Sequence, residues 1–331
     1  MNKDQAFRIH EEAIVIDGLN ASYFFNEAVL QRIRQGGVTA FNGTVAAWHS
    51  FPETMNLIAD YYRLFEDHAD WIMQVRTVED IHKAKVRGLA GMIFGFQNTG
   101  PIDGNPRMLA VYHALGVRII QLTYNDENAV GFGCMAPEDK GLTPFGREMV
   151  AEMNRLGIVV DLSHCGHKTT MDAIETSKGP VAFTHANPLA LAKSPRNKPD
   201  SAFKALAAKD GVAGVVLLPA WLTHHGKAGL EDYLNAIDYL VNLMGIDHVG
   251  LGTDFMEEIP AEIMMAALKG ISAENLQKYY GSSIVNGFES AAEFPKVTEG
   301  LLSRGYSPED VKKIMGGNWL RLYEAVWSAR T

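Results

Sequence analysis

Two histidines close two consecutive apolar runs of the chain, and their type and position indicate metal chemistry. His164 ends residues 157–164 (GIVVDLSH), and His185 ends residues 180–185 (PVAFTH). Two neutral imidazoles on neighbouring strands can approach one divalent cation, and zinc accepts histidine nitrogen as a ligand. A single histidine at a strand end is as often a hydrogen-bonded core residue. Two at matching positions of consecutive strands favour a ligand pair.

A carboxylate and a guanidinium lie near the ends of other apolar runs of the chain. Asp254 lies near the end of an apolar run (GLGTDF, 250–255), where burial would tune its pKa for proton transfer or metal coordination. Its alternative role is an N-cap for the following segment. Arg196 lies in the loop after the sixth run, where it can hold a substrate carboxylate through two hydrogen bonds or be a solvated surface arginine.

The remaining histidines and cysteines are weaker candidates. Cys165 directly follows His164, and we interpret it as a small packing residue rather than a thiolate ligand. His224 and His225 are adjacent, so both cannot easily face one site, and we expect a solvated loop there. With only two cysteines, a disulfide framework is excluded and a reducing compartment is expected.

The elements that must position these residues follow from alternating apolar runs and amphipathic helical segments. The apolar runs cover residues 13–17, 38–48, 91–97, 117–125, 157–164, 180–185, 212–219 and 248–255. Between them, residues 230–244 carry one apolar stripe at helical spacing. Thr143 and Pro144 supply an N-cap and a first-turn proline for a helix that ends at Gly157.

Eight such units predict a single (β/α)8 TIM barrel over residues 1–331, with extra helices at the N- and C-termini. The carboxyl ends of barrel strands carry the chemistry, which is where His164 and His185 fall. A doubly wound open sheet is the alternative. It is disfavoured because no G-x-G-x-x-G follows the first strand and because polar residues stand at the ends of many strands.

Composition and charge limit the classes of molecule that we expect this protein to bind. The formal charge is −9, and no run of lysines and arginines is interleaved with aromatic residues, so neither nucleic acid nor an anionic membrane is an attractive partner. No stretch of 18 apolar residues occurs, and the N-terminus is a polar helical pattern, so we expect a cytoplasmic protein. A small-molecule substrate is predicted, and a homodimer is left open.

Several motifs, in the same order along the chain, resemble those of the membrane (renal) dipeptidase family of metallopeptidases. They are residues 141–148 (GLTPFGRE), 153–164 (MNRLGIVVDLSH), 183–185 (FTH), 195–200 (PRNKPD), 249–255 (VGLGTDF) and 315–321 (MGGNWLR). The resemblance implies a (β/α)8 barrel that holds a bridged pair of zinc ions and hydrolyses dipeptides. It matches His164 and His185 to the two histidines of one zinc, Arg196 to the arginine that binds the substrate carboxylate, and Asp254 to an aspartate implicated in proton transfer.

The chain departs from that family where the second zinc should bind. Leu19 and Ala21 replace a histidine and an aspartate after the first strand, and neither can coordinate a metal. Gln97 replaces the bridging glutamate, and its neutral amide is a poor zinc ligand. Tyr124 replaces a histidine after the fourth strand. We therefore expect one zinc ion or fewer per chain, held by His164 and His185 with Gln97, Asp254 or water.

Two classes of function remain from the sequence. The first is a dipeptidase-like metallohydrolase, an amidohydrolase that cleaves an amide bond in a dipeptide or a related small carboxylate-bearing substrate. In it, Asp254 handles the proton, Tyr124 donates to the oxyanion, and Arg196, Asn20 and Asn125 bind substrate. The second is a non-hydrolytic descendant that is a small-molecule binding protein or an enzyme of different chemistry.

Overall fold

Nine parallel strands form one sheet, and eight of them close into a barrel. The computed structural model describes residues 3–225, 227–267 and 284–328. The strands are β1 (Ile16–Asn20), β2 (Ala40–Ala46), β3 (Ile72–Val75), β4 (Ala90–Phe96), β5 (Val117–Gln121), β6 (Val159–Asp161), β7 (Ala182–Phe183), β8 (Val212–Val215) and β9 (Val249–Leu251). Their order is β2-β1-β9-β8-β7-β6-β5-β4-β3, and pairing of β2 with β4 closes the ring. The predicted TIM barrel is confirmed.

The strand that sequence patterning missed is β3. It pairs with the first half of β4, from Ile72 opposite Ala90 to Val75 opposite Ile93. The second half of β4 pairs with β5 instead, so β3 lies beside the ring and is not needed to close it. Only four residues long, with its two middle side chains half-buried, it lacks the continuous apolar run that revealed the other eight strands.

Helices follow most strands and cover the outside of the barrel. They are α1 (Lys3–Glu12), α2 (Glu27–Gln35), α3 (Phe51–Asp67), α4 (Val78–Arg87), α5 (Met108–Ala114), α6 (Pro144–Leu156), α7 (His167–Thr176), α8 (Asp200–Ala208), α9 (Pro219–Leu222), α10 (Leu230–Met244), α11 (Ala261–Ala267), α12 (Phe294–Ser303), α13 (Pro308–Lys312) and α14 (Asn318–Trp327). Within the described ranges, none of these helices combines the length and apolar character needed to span a membrane.

The residues predicted to begin and end α6, Thr143 and Gly157, do so in the structure. Thr143 Oγ1 accepts a hydrogen bond from the backbone N–H of Gly146 at 2.9 Å, which satisfies one free donor of the first turn. Gly157 ends the helix with φ +73°, a left-handed conformation that glycine adopts without steric cost. The chain then enters β6, which leads directly to His164.

The C-terminal helix α14 closes the barrel end opposite the histidines. Trp319 is fully buried against residues at the starts of the strands, such as Ile16 and Val159. Its indole Nε1–H donates to the carbonyl of Leu251 at 2.9 Å. A Cβ at Gly18 would lie 2.5 Å from Cζ2 of this indole, so β1 needs glycine there. Trp319 thus fills the barrel interior at the amino ends of the strands, and the two histidines lie at the other end.

Candidate active site

The imidazoles of His164 and His185 converge at the carboxyl end of the barrel. They follow β6 and β7 by three and two residues, and they are 1% and 0% exposed. Their Nε2 atoms lie 3.0 Å apart. Burial, reinforced by the positive charge of Arg196, lowers the pKa of both groups well below 6.5. Both rings are therefore neutral near pH 7, the form in which histidine binds metal.

Hydrogen bonds at the other ring nitrogen set the tautomer of each histidine. His164 Nδ1 donates to Asn125 Oδ1 at 2.9 Å. His185 Nδ1 lies 2.7 Å from Thr184 Oγ1, and that hydroxyl gives its single proton to Asp161 Oδ2 at 2.6 Å. Thr184 Oγ1 must therefore accept from His185. With both protons on Nδ1, each Nε2 carries a lone pair, and the two lone pairs face each other.

Two facing lone pairs at this distance repel unless a cation lies between them. Zinc binds histidine nitrogen at about 2.0–2.1 Å, so one ion fits against both Nε2 atoms. In the ranges that the structure describes, no group of three or more histidine, cysteine or acidic side chains could hold a metal. The residues present therefore fit one ion with two histidine ligands, and its remaining positions are left for an amide oxygen, water or substrate.

The residues that orient His185 were missed at the sequence level. Asp161 accepts four hydrogen bonds, from the backbone N–H and the hydroxyl of both Ser163 and Thr184. Burial raises the pKa of Asp161, and the four donors act in the opposite direction. The signal was present, because Asp161 and Ser163 precede His164 in one run and Thr184 directly precedes His185. Such supporting hydrogen bonds fix ligand orientation in metal sites.

Arg196 is close to the histidines but does not reach a ligand-accessible surface. Its side chain is 0% exposed, and its Nη atoms donate to the carbonyl oxygens of Ser163 and His185, the latter at 2.8 Å. Its Cζ lies 5.0 Å from the ring centroid of Trp221. In this geometry Arg196 braces the two loops that carry the histidines. Its Nε is buried without a hydrogen-bond partner, and the predicted contact with a substrate carboxylate stays a prediction.

A second buried cation supports the same loops. Lys198 Nζ donates to the carbonyl of Cys165 and, at 3.3 Å, to Thr170 Oγ1. Burial lowers the pKa of Lys198 to about 8. Cys165 itself is 1% exposed, and burial raises the pKa of its thiol to about 11. It is a packing residue, as predicted, because so high a pKa leaves little thiolate at neutral pH.

A pocket of about 380 Å³ opens beside the histidine pair at the same end of the barrel. Gln97, Tyr124 and Asp254, three of the predicted site residues, line it. His49 lines it as well, and burial lowers the pKa of its imidazole. The volume lies at the lower end of the roughly 300–1,000 Å³ typical of small-molecule sites.

Tyr124 connects the pocket with the buried histidines. Its ring stacks on the imidazole of His164, with centroids 4.0 Å apart and planes inclined by 21°. Trp48 contacts the Tyr124 ring edge-on at 4.5 Å and is 48% exposed at the rim of the pocket. The phenol that replaces the family's histidine thus lies between the pocket and one predicted metal ligand.

Among the described residues that line the pocket, Asp254 is the one with a carboxyl group. Burial is the main cause that raises its pKa to about 7, and the positive charge of Arg196 opposes the rise. Its backbone has φ +57°, a left-handed conformation that aspartate and asparagine tolerate better than most residues. The backbone N–H donates to the carbonyl of Leu19 at 2.9 Å, which ties this turn to the end of β1.

Of the residues predicted to replace metal ligands, Leu19 and Ala21 have apolar side chains and Gln97 has an amide. Leu19 is 1% exposed, and Ala21 lines the pocket. Gln97 is 6% exposed, and its amide Nε2 donates to Thr44 Oγ1 at 2.8 Å. Its Oε1 is buried without a hydrogen-bond partner. An acceptor held in this way needs a cation or an N–H donor, because an unsatisfied buried oxygen is costly.

The two predicted substrate-binding asparagines are used within the protein. Asn20 Nδ2 donates to Asp17 Oδ2 at 3.2 Å, and its Oδ1 accepts from the backbone N–H of Ser22. Asn125 Oδ1 accepts from His164, as described above. These bonds position β1 and His164, and the predicted contact of the two asparagines with substrate stays a prediction. His224 and His225 are exposed, as expected for a solvated loop.

One family and several known proteins are similar to this chain. The sequence profile of a family described as membrane dipeptidase (Peptidase family M19) matches residues 3–280 and 276–331. Dipeptidase tcpJ of Claviceps purpurea is 31% identical over 281 residues, which are 84% of this chain and 60% of tcpJ. Dipeptidase aclJ of Aspergillus oryzae is 31% identical over 277 residues, 82% of this chain and 60% of aclJ. The chain thus spans about 60% of the length of these relatives.

Solved structures give the same picture of the fold. An amidohydrolase from Pseudomonas aeruginosa is 39% identical, with a TM-score of 0.91, and the match covers 97% of this chain and 99% of that one. A metallopeptidase from Rhodobacter sphaeroides, liganded with a phosphinate mimic of the dipeptide L-Ala-D-Ala, is 21% identical with a TM-score of 0.80. That match covers 96% of this chain and 100% of the other and bears on the fold alone.

Proposed function

Since the chain belongs to the membrane dipeptidase family, we propose that it is a dipeptidase-like metallohydrolase with a one-metal site. Its substrate is a dipeptide or a related small molecule that contains an amide bond and a carboxylate. The observation that carries the proposal is the pair of facing Nε2 lone pairs of His164 and His185 beside a pocket of about 380 Å³. That pair needs a cation, and the pocket can hold a small amide.

Zinc is the ion that suits this donor set. His164 and His185 would hold it through Nε2, and Asn125 and Thr184 keep both rings in the ligating tautomer. When bound, such an ion would supply Lewis acidity, the property by which metallohydrolases obtain a water nucleophile near neutral pH. Two imidazoles are fewer protein ligands than the three typical of catalytic zinc sites, so Gln97 Oε1, water or substrate would complete the ligand set.

Two pocket residues supply the other chemical groups. Asp254 has a pKa of about 7, so its carboxylate can take a proton at one stage and return it to the leaving amine at another. Tyr124 lines the pocket above His164, and we assign its hydroxyl to the developing oxyanion of the amide carbonyl. Arg196 acts indirectly, because it holds the backbone of the two loops that carry the histidines.

The test is hydrolysis of a panel of dipeptides by the purified protein with and without added zinc. We expect zinc-dependent turnover that falls by more than about 100-fold in His164→Ala, beyond the usual loss from removal of a supporting partner. His225→Ala is the matched control, since His225 is an exposed loop histidine. Equal turnover by the native protein and His164→Ala would overturn metal-dependent hydrolysis.

A further inference from the structure

The neighbouring strands β6 and β7 carry a hydrogen-bonded unit that leads to His185. Asp161 of β6 is in register with Ala182 of β7. Thr184, two residues after Ala182, donates its backbone N–H to Asp161 Oδ1 at 3.1 Å and its hydroxyl to Oδ2 at 2.6 Å. His185 follows Thr184 directly. The carboxylate of one strand thus fixes the residue that precedes a site residue of the next strand.

The neighbouring strands β1 and β9 carry the same unit, and here it leads to Asp254. Asp17 of β1 is in register with Leu251 of β9. Thr253, two residues after Leu251, donates its backbone N–H to Asp17 Oδ1 at 2.8 Å and its hydroxyl to Oδ2 at 2.6 Å. Asp254 follows Thr253 directly. The spacing along the strands and both hydrogen bonds therefore match those of the first unit.

The turn that contains Asp254 needs support because its backbone is left-handed. Asp254 has φ +57°, a conformation that costs energy for residues other than glycine and persists where the surrounding bonds hold it. The Thr253 hydroxyl that donates to Asp17 also accepts from the backbone N–H of Phe255 at 3.3 Å, so it spans the turn. Asp17 is 0% exposed, and Asn20 Nδ2 donates to its Oδ2 at 3.2 Å. The turn is thus bonded to a fully buried carboxylate.

From these observations we propose that Asp17 is a positioning residue for Asp254. Through the Thr253 hydroxyl it holds the left-handed turn from which Asp254 lines the pocket. Asp17 does not line the pocket itself, so it acts through Thr253 and not on the substrate. The assignment rests on the proposed function, which gives the proton transfer to Asp254. It goes further by naming the residue on which the position of that carboxyl depends.

Two substitutions of Thr253 test the role of its hydroxyl, because valine keeps the side-chain shape and serine keeps the hydroxyl. Thr253→Val should lower kcat for dipeptide hydrolysis by about 10- to 100-fold, since small displacements of a reacting group are costly. Zinc content should stay native, because the hydrogen bonds of His164 and His185 are unchanged. Thr253→Ser should return kcat to within about threefold of the native value.

Thr298→Val is the matched control for loss of a buried threonine hydroxyl. Thr298 is 0% exposed in α12, and its hydroxyl lies 2.8 Å from His10 Nδ1, outside the pocket. This variant should keep the native kcat and zinc content. Equal loss of kcat in Thr298→Val and Thr253→Val would overturn the positioning role, because general destabilisation would then explain both.

Hydrogen exchange at the Asp254 amide tests the geometry without substrate. The Asp254 N–H donates to the carbonyl of Leu19, and mass spectrometry of overlapping peptides can resolve its exchange rate. We expect exchange to be at least about tenfold faster in Thr253→Val and near the native rate in Thr253→Ser and Thr298→Val. A native exchange rate in Thr253→Val would overturn the positioning role.

Exchange and turnover together separate this inference from the proposed function. Faster exchange at Asp254 in Thr253→Val, with no zinc-dependent hydrolysis by the native protein, would support the positioning role and overturn the hydrolase. Zinc-dependent hydrolysis with an unchanged kcat in Thr253→Val would support the hydrolase and overturn the positioning role. A fall in kcat that is matched by an equal loss of zinc would also overturn it, because the effect would then act through the metal site.

Asp17→Asn tests the same unit from its other end and does not depend on the folding of Thr253→Val. The asparagine carbonyl can still accept from the backbone N–H of Thr253, but its Nδ2 cannot accept the hydroxyl proton. We expect the same fall in kcat, by about 10- to 100-fold, with native zinc content. Asp70→Asn, at an exposed aspartate, is the matched control. A native kcat and a native exchange rate at Asp254 in Asp17→Asn would contradict the assignment.

Discussion

The ring of Tyr124 stacks on the imidazole of His164 at a centroid distance of 4.0 Å. This contact places a hydroxyl-bearing side chain of the pocket directly over one of the two predicted metal ligands. It also separates two roles that one residue can have, because the ring makes the stacking contact and the hydroxyl carries the proposed chemistry. Substitution of the hydroxyl alone can therefore test the chemical role without removing the packing.

Tyr124→Phe should lower kcat for dipeptide hydrolysis by about 100-fold or more, as removal of one oxyanion donor does in other enzymes. KM and zinc content should stay near the native values, because the stacked ring remains over His164. Steady-state kinetics together with metal analysis checks both parts. Tyr239→Phe, which removes a hydroxyl bonded to Asp200 on the barrel exterior, is the control. An unchanged kcat in Tyr124→Phe would contradict the oxyanion role.

His164→Ala and His185→Ala should each abolish stable zinc binding, because two histidines are the protein ligands that the described site offers. The native protein should bind close to one zinc ion per chain, measured by elemental analysis after dialysis against metal-free buffer. His225→Ala should retain the native zinc content, since that side chain is exposed. Two tightly bound ions in the native protein would contradict the consequence we draw from Leu19 and Ala21.

Thr184→Val tests the hydrogen-bonded chain from Asp161 to His185. Valine keeps the shape of threonine but leaves Asp161 Oδ2 and His185 Nδ1–H without their shared hydroxyl. We expect zinc affinity to fall by about 10- to 100-fold. The free energy of unfolding should fall by about 1–3 kcal/mol, the cost of leaving a buried polar group unsatisfied.

Competition with a zinc chelator and urea unfolding measure these two effects of Thr184→Val. The control is Thr176→Val, because the Thr176 hydroxyl bonds a helix carbonyl near the surface of α7. We expect zinc affinity in the control to equal that of the native protein. A Thr184→Val protein with native zinc affinity would show that the hydroxyl does not orient His185.

Asp254→Asn should change how stability depends on pH. Burial raises the pKa of Asp254 from 3.8 to about 7 in the folded protein. Below pH 3.8 both the folded and unfolded states are protonated, and the raised pKa has no cost. Between 3.8 and about 7 the unfolded chain ionises first, so the native protein loses stability as pH rises through this window.

Asparagine does not titrate, and it tolerates the left-handed backbone at this position. Urea unfolding without added metal should therefore show nearly equal stability of the two proteins at pH 4 and an advantage of about 1–3 kcal/mol for Asp254→Asn at pH 8. Asp70→Asn, the same change at an exposed aspartate, is the matched control. A constant difference between native protein and Asp254→Asn across this range would contradict the raised pKa.

The order of elements and the place of the chemistry could be predicted from the sequence. Apolar runs and helical stripes report burial with a period of about 2 or 3.6 residues, and burial is a local property of the chain. Because parallel strands end together at one face of a barrel, His164, His185, Gln97, Tyr124 and Asp254 could be assigned to that face before their distances were known. The short strand β3 was not predicted, because two of its four side chains are half-buried and it lacks a continuous apolar run.

Only the tertiary structure decided which atoms meet. Arg196 and Asn20 stand in motifs and strand ends that suggest substrate contact, yet the two Nη atoms of Arg196 donate to backbone carbonyls. The amide of Asn20 is used by Asp17 and Ser22. The facing lone pairs of the two histidines depend on hydrogen bonds that link Thr184 to Asp161 across 23 positions of sequence. Periodicity carries no information about such partners, because hydrogen bonds depend on separations of about 3 Å in space. The sequence by itself therefore determined the barrel and the face that carries the chemistry, and the folded chain decided the histidine tautomers, the burial of Arg196 and the residues that line the pocket.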